Sequence, residues 1–197
     1  MADLEELGFI IQPHTSAGRI PTDLGYRFYV DHLMKSRQLT IKEEEVVREG
    51  LSTVKIDIEE AMHQTLKVLS HLVEYASLVA TIDNKTRVYS SGFANMLKQP
   101  EFCDINYTRQ VMETLEKEDL MAEMFKEYTT TGGVTIRIGS ENSFKEVKHC
   151  SVVMSSYEAK NVAAGGLGVI GPTRMGYAKT AGILEYLSRR LENLLEG

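Results

Sequence analysis

The spacing of apolar residues changes period several times along the 197-residue chain, and each change marks an element. Ala2 to Leu7 reads as a short acidic helix stopped by Gly8. Phe9-Ile10-Ile11 then leads in as a strand and Arg19-Ile20 leads out as a second one. Ser16-Ala17-Gly18 suits the tip of a hairpin between them, since glycine accepts the positive φ of tight reversals. Thr22 is placed to cap a helix that starts near Asp23, with Leu24, Phe28, Leu33 and Met34 as its apolar stripe and Tyr26 and Tyr29 flanking it. Ser36 to Leu39 reads as a short connection. Thr40 and Glu43 stand at capping-box spacing, and apolar positions from Val46 to Leu72 then recur at steps of three or four. The pattern predicts one long helix from about 41 to 73, with Gly50 as a weak point at which it can divide.

Tyr75 to Thr81 switches to strand-like composition, Asp83-Asn84-Lys85 reads as a turn, and a second strand runs from Thr86 to Ser91 and Gly92. Phe93 to Leu97 is a short helix stopped by Pro100, and Asn106 to Lys126 reads as helix broken near Glu118. After a turn-rich opening over Thr129 to Gly133, Val134 to Ile138 alternates with period two and Gly139 to Ser143 turns the chain. Cys150 to Ser156 and Val162 to Ile170 read as strands joined by a polar loop, Tyr157 to Asn161. Tyr177 to Leu195 is a closing helix with leucines along one side. The fold class expected is α+β. It comprises a partial winged helix-turn-helix over 1–39, a long linker or dimerisation helix over 40–74, and an α+β body over 75–197.

A helix followed by a hairpin with a polar, arginine-bearing tip matches the back half of a winged helix, whose wing touches the phosphate backbone. Four stretches resemble the HrcA family of bacterial heat-inducible transcription repressors. They are Met1 to Gly8 with Gln12 to Thr22, then Gly25-Tyr26-Arg27-Phe28-Tyr29-Val30-Asp31, Asn95 to Phe102, and Gly168 to Met175, all in the family's order. The resemblance covers 1–80 and 88–197. It implies a GAF-like regulatory body, a homodimer on an inverted-repeat operator ahead of chaperonin and dnaK-type operons, and a GroEL-type chaperonin as partner. It also implies a shortened member: two helices and half of a recognition helix are expected upstream of Met1, and the sequence jumps across a seam at about 80–87. The DNA-binding residues expected are Arg19 as leading phosphate or minor-groove contact, His14, Thr15 and Ser16 as hydrogen-bonding neighbours, and Arg27 in support.

Charge narrows the mode of contact. The net charge is −6, with four cations against five anions in residues 1–40 and four against eight in 41–80. Any DNA contact therefore comes from a few placed cations rather than bulk charge. The acidic face of the 41–72 stretch reads as solvated, while its apolar surface exceeds what one partner helix covers, which predicts a dimer or higher oligomer. Composition and the lack of a membrane-length apolar run or leader make a cytoplasmic location the default. Cys103 and Cys150 are too few for a disulfide framework.

The chemistry-bearing motifs dissolve on inspection. Gly166-Leu167-Gly168-Val169-Ile170-Gly171 fits G-x-G-x-x-G, but its glycines interleave with strand residues and Pro172 separates them from the helix. They are expected to be small residues where a helix lies close to the sheet. His149 and Cys150 are adjacent strand residues that point to opposite faces, so they cannot pair as base and nucleophile. His63 and His71 share a helix face with no third ligand. No enzyme, no cofactor and no metal is expected. Beside the repressor, two alternatives stand: a regulatory or dimerising fragment without DNA binding of its own, and a GAF-like small-molecule sensor.

Overall fold

The chain opens with short elements: helix α1 (Ala2–Glu6), strands β1 (Ile10–Ile11) and β2 (Ile20–Pro21), and helix α2 (Asp23–Phe28), which runs on into one π turn, Tyr29–Leu33. The computed structural model describes residues 2–196 apart from 16, 36, 53, 55, 56, 83–85, 130–132 and 161. The expected turn at Asp83-Asn84-Lys85 and most of that at 129–133 lie outside the described residues. Strands β1 and β2 pair antiparallel with Ile11 opposite Ile20. Thr22 caps α2 as expected: its hydroxyl accepts the Gly25 N–H at 3.1 Å and donates to the Gly8 carbonyl at 2.6 Å, tying the helix start to the end of α1.

The stretch expected as one long helix is two. Helix α3 (Ile41–Leu51) carries the complete Thr40–Glu43 capping box, and α4 (Ile58–Leu72) is a separate helix with its own cap. Asp57 makes the second start, its carboxylate accepting the N–H groups of Glu59 at 2.8 Å and Glu60 at 3.2 Å. Gly50 is not the break. It lies inside α3 where a Cβ would stand 2.2 Å from Val68 Cγ2, so it serves the close approach of the two helices. The apolar stripe meets the interior of the chain rather than a partner: Val47, Leu51, Ala61, Met62, Leu69 and Leu72 are all buried in one core.

Strands β3 (Ala76–Thr81) and β4 (Arg87–Ser91) form an antiparallel pair with Thr81 opposite Arg87, so the expected seam is the connection of this pair. Helices α5 (Phe93–Met96), α6 (Ile105–Leu115) and α7 (Glu118–Tyr128) follow, then β5 (Val134–Ile138), β6 (Cys150–Ala159), β7 (Ala163–Pro172) and α8 (Tyr177–Glu196). The five body strands make one wholly antiparallel sheet in the order β4-β3-β7-β6-β5. Period-two alternation assigns its faces. Val79, Val153, Leu167 and Val169 face α3, α4 and α8, whereas Leu78, Ala80, Val152, Met154 and Ile170 face α6 and α7. Helices cover both faces, and the architecture is α+β.

The β6–β7 connection is shorter than the polar run suggested. Tyr157 and Ala159 belong to β6 and are buried, because the Tyr157 hydroxyl reaches in to donate to the Ala80 carbonyl at 3.0 Å. The glycines of the apparent dinucleotide motif lie within β7. A Cβ on Gly166 would meet Thr129 and the Phe125 ring of α7 at 2.6–2.9 Å, so they admit a helix against the sheet.

Candidate nucleic-acid interface and the joint behind it

The hairpin tip is built by side-chain bonds to the backbone. Gln12 Nε2 donates to the carbonyls of Thr15 at 3.1 Å and Ala17 at 2.9 Å, and the Ala17 N–H closes a turn on the His14 carbonyl at 2.9 Å. The expected role for Gly18 is corrected: the left-handed glycine of this region is Gly8, at φ +74°, and Gly18 does not have a positive φ. His14, Thr15 and Arg19 are exposed on the hairpin, and Ser16 lies outside the described residues. Arg19 is not bare. Its Nε donates to Glu5 Oε2 of α1 at 3.1 Å, with both side chains about two-fifths exposed. The arginine at the tip is thus already shared with a carboxylate, and Asp3 and Glu6 stand on the same short helix.

Arg27 points elsewhere. Its Nε donates to Glu141 Oε1 at 2.8 Å, its Nη2 to Glu141 Oε2 at 2.5 Å and to the Ile136 carbonyl at 2.7 Å, and its Nη1 to Asp31 at 3.1 Å. These bonds, the Glu141 pair first, hold the guanidinium deeper in its charged form. The structure thus puts Arg27 in a joint between the first 34 residues and the body, with its donors engaged. Asp23 joins it from the same helix, accepting from the Ser140 N–H at 2.8 Å and the Ser140 hydroxyl at 2.9 Å. The Tyr26 ring sits edge-on to Tyr177, centroids 6.0 Å apart. Asp23 was expected only as the start of its helix, and Ser140 and Glu141 only as part of a turn. Their partners are more than 100 residues away, so no local spacing could show them.

The two downstream stretches that carried the family resemblance meet beside this joint. Arg174 donates through Nη2 to Gln99 Oε1 at 3.0 Å and Glu101 Oε2 at 3.1 Å, and through Nε to the other oxygen of Glu101. The sequence profile described as "HrcA protein C terminal domain" matches residues 31–181. The chain belongs to the HrcA family. Among curated proteins it is similar to the "Heat-inducible transcription repressor HrcA" of Pelotomaculum thermopropionicum, at 28% identity across 100% of this chain and 84% of that protein. The protein of the same name from Halalkalibacterium halodurans is 28% identical over 99% of this chain and 85% of its own length. The Pelotomaculum match runs over 294 positions against 197 residues here, so about 97 of them have no counterpart and this HrcA chain is a shortened one. A crystal structure of a hypothetical protein at 2.2 Å resolution superposes with a TM-score of 0.73 at 19% identity, covering 100% of this chain and 84% of that one, and shares the fold.

The remaining chemistry-bearing residues have structural partners. Cys150 is buried with the Tyr107 hydroxyl 2.9 Å from its Sγ, and burial pushes the thiol up to about 11. His149 lies edge-on to the Tyr107 ring, and His63 edge-on to Tyr89. Among the described residues no group of three or more His, Cys, Asp and Glu could hold a metal ion, and no helix is long and apolar enough to cross a membrane.

Proposed function

We propose that this chain is a negative regulator of heat-inducible transcription that meets double-stranded DNA through the tip of the β1–β2 hairpin. The observation that carries the reading is its match, end to end, to relatives named heat-inducible transcription repressors, with an exposed arginine on the hairpin where a wing would touch phosphate. In this reading residues 1–39 form the hairpin side of a winged helix and residues 75–197 a GAF-like body, with 40–74 between them. Arg19 makes the phosphate or minor-groove contact, and His14, Thr15 and Ser16 lend neutral hydrogen bonds. The protein acts as a homodimer on an inverted-repeat operator of a chaperone operon, with a GroEL-type chaperonin as its protein partner. Self-association draws on the head, where Leu7, Leu24 and Leu33 are more than half exposed.

Arg27 supports DNA contact only indirectly in this scheme, by fixing α2, which carries the hairpin, to the body. A mobility shift tests the reading: a chaperone-operon duplex is retained at low salt, and a body lacking residues 1–39 does not retain it. A second reading has its own support. Glu5 neutralises Arg19 and α1 is acidic, which suits a dimerising fragment that contributes no DNA affinity. Equal absence of retention for the intact chain and the body would favour it.

A further inference from the structure

We infer that the turn Gly139–Glu141 is a latch that holds the head, residues 2–34, against the edge strand β5, and that the head leaves the body by opening this latch as a single unit. Asp23 and Arg27 stand one helical turn apart on α2 and both face this turn. Gly139 sits at φ +52°, and a Cβ there would lie 2.1 Å from the Asp23 carboxylate, so the Asp23 side chain packs directly on the backbone of the turn. Glu141 closes the arrangement twice over. Its Oε2 takes Arg27 and also the N–H of Ile138 at 2.9 Å, while Arg27 takes the Ile136 carbonyl.

Among the described residues strand β5 pairs only with β6, so the Ile136 carbonyl and the Ile138 N–H belong to its open side. An open edge invites another strand, and here Arg27 takes up the Ile136 carbonyl and Glu141 the Ile138 N–H. Closing the head therefore also covers the Ile136 carbonyl of this edge. The apolar share of the joint is small: Tyr26, Val30 and Met34 are half-buried against the core, and neither α1 nor α2 has a fully buried residue. A contact of this make-up opens well below the free energy of global unfolding, because few apolar groups leave cover. While the latch is shut the hairpin rides rigidly on the sheet. When it opens, the hairpin's orientation is released and β5 is bared together with it. The inference does not depend on whether the hairpin meets DNA.

Two amides report on the latch, Ser140 directly because its acceptor is on the head, and Ile138 through Glu141, whose same oxygen accepts from Arg27. Ile138 N–H is held by Glu141 and Ser140 N–H by Asp23, whereas the Leu167 amide lies in the central strand β7. In hydrogen exchange of the intact chain at low urea, Ile138 and Ser140 should exchange at least tenfold faster than Leu167 and respond alike to urea. In Asp23→Ala, Ile138 should accelerate at least tenfold although Asp23 does not touch it, with Leu167 unchanged. If Asp23→Ala fails to fold, the intact-chain measurement decides alone. An Ile138 amide indifferent to Asp23→Ala, or latch amides that exchange only with Leu167, would overturn the single-unit latch.

Discussion

Arg19 and Arg27 carry the same charge and were expected to share a role, and their surroundings divide them. Arg27 is bound by Glu141, Asp31 and a carbonyl, while among the described residues Arg19 gives its Nε to one carboxylate that is two-fifths exposed. An exposed pair of that kind is worth little and is readily exchanged for a phosphate. Arg19→Ala should therefore weaken duplex binding and lower the slope of log K against log salt by about one unit. Glu5→Gln, which frees the same arginine, should strengthen binding at low salt. Titrations of both variants at two salt concentrations read this, and a Glu5→Gln protein that binds more weakly than the parent would remove Arg19 from the contact. The cysteines divide in the same way. Cys103 is exposed, whereas Cys150 is buried with its thiol pushed from 9.0 up to about 11 by burial. A disulfide reagent at pH 8 should find about one thiol per chain before unfolding and both after it. Because the folded thiol holds its proton more tightly than the unfolded one, its contribution to stability is complete below pH 9 and is lost as pH climbs towards 11. Tyr107 and Tyr177, also raised by burial, steepen that loss. Thermal midpoints should accordingly fall above pH 9.

At the scale of elements the glycines of β7 give the sharpest contrast. A Cβ on Gly165 would lie 1.9 Å from the Ala80 carbonyl of the neighbouring strand, which cannot move aside without disturbing the β3–β7 ladder. Gly165→Ala should cost at least about 1–3 kcal/mol, the usual range for overpacking. Gly18→Ala meets nothing within 4 Å and should stay within about 0.5 kcal/mol. Urea midpoints of the pair check this. What could be read along the sequence was what local physics controls. Period two gave Val134–Ile138, the Thr40–Glu43 spacing gave the start of α3, and the Thr22 cap gave that of α2. The division of the 41–72 stretch was misplaced because apolar steps of three and four continue through Val54 and Ile58 and mask the break. Asp57 followed by Glu60 was the cap signal that could have shown it. Tyr157 looked like loop because its hydroxyl is polar, and only the sheet supplies the carbonyl that lets it be buried. The joint around Glu141 was invisible for a different reason: its contacts cross more than 100 residues, and an ordinary Gly-Ser-Glu turn has no periodicity to betray a partner.

At the scale of the whole molecule the question is what the head does with its apolar surface. The stripe of α3 and α4, from which self-association was expected, lies inside the chain against α8 and the sheet. Leu4, Leu7, Leu24, Phe28 and Leu33 are all more than 40% exposed, or at that mark, on a unit with little core of its own. Burying a leucine fully is worth about 1.5–3 kcal/mol, so half-covering five such side chains from each of two copies competes with the cost of association. The expected outcome is a weak dimer with a dissociation constant on the order of micromolar. The net charge of −6 opposes it, so added salt should tighten the dimer by screening like charges. Salt acts on the DNA contact in the opposite sense, since each phosphate contact releases counterions. The two associations can therefore be separated in one series: light scattering at rising salt should show growing mass while duplex retention fades. Leu24→Glu should abolish the first trend and leave the fold intact, because Leu24 buries little. A chain that stays monomeric across micromolar concentrations at high salt, or a Leu24→Glu protein that still dimerises, would show that the head is not the dimer surface.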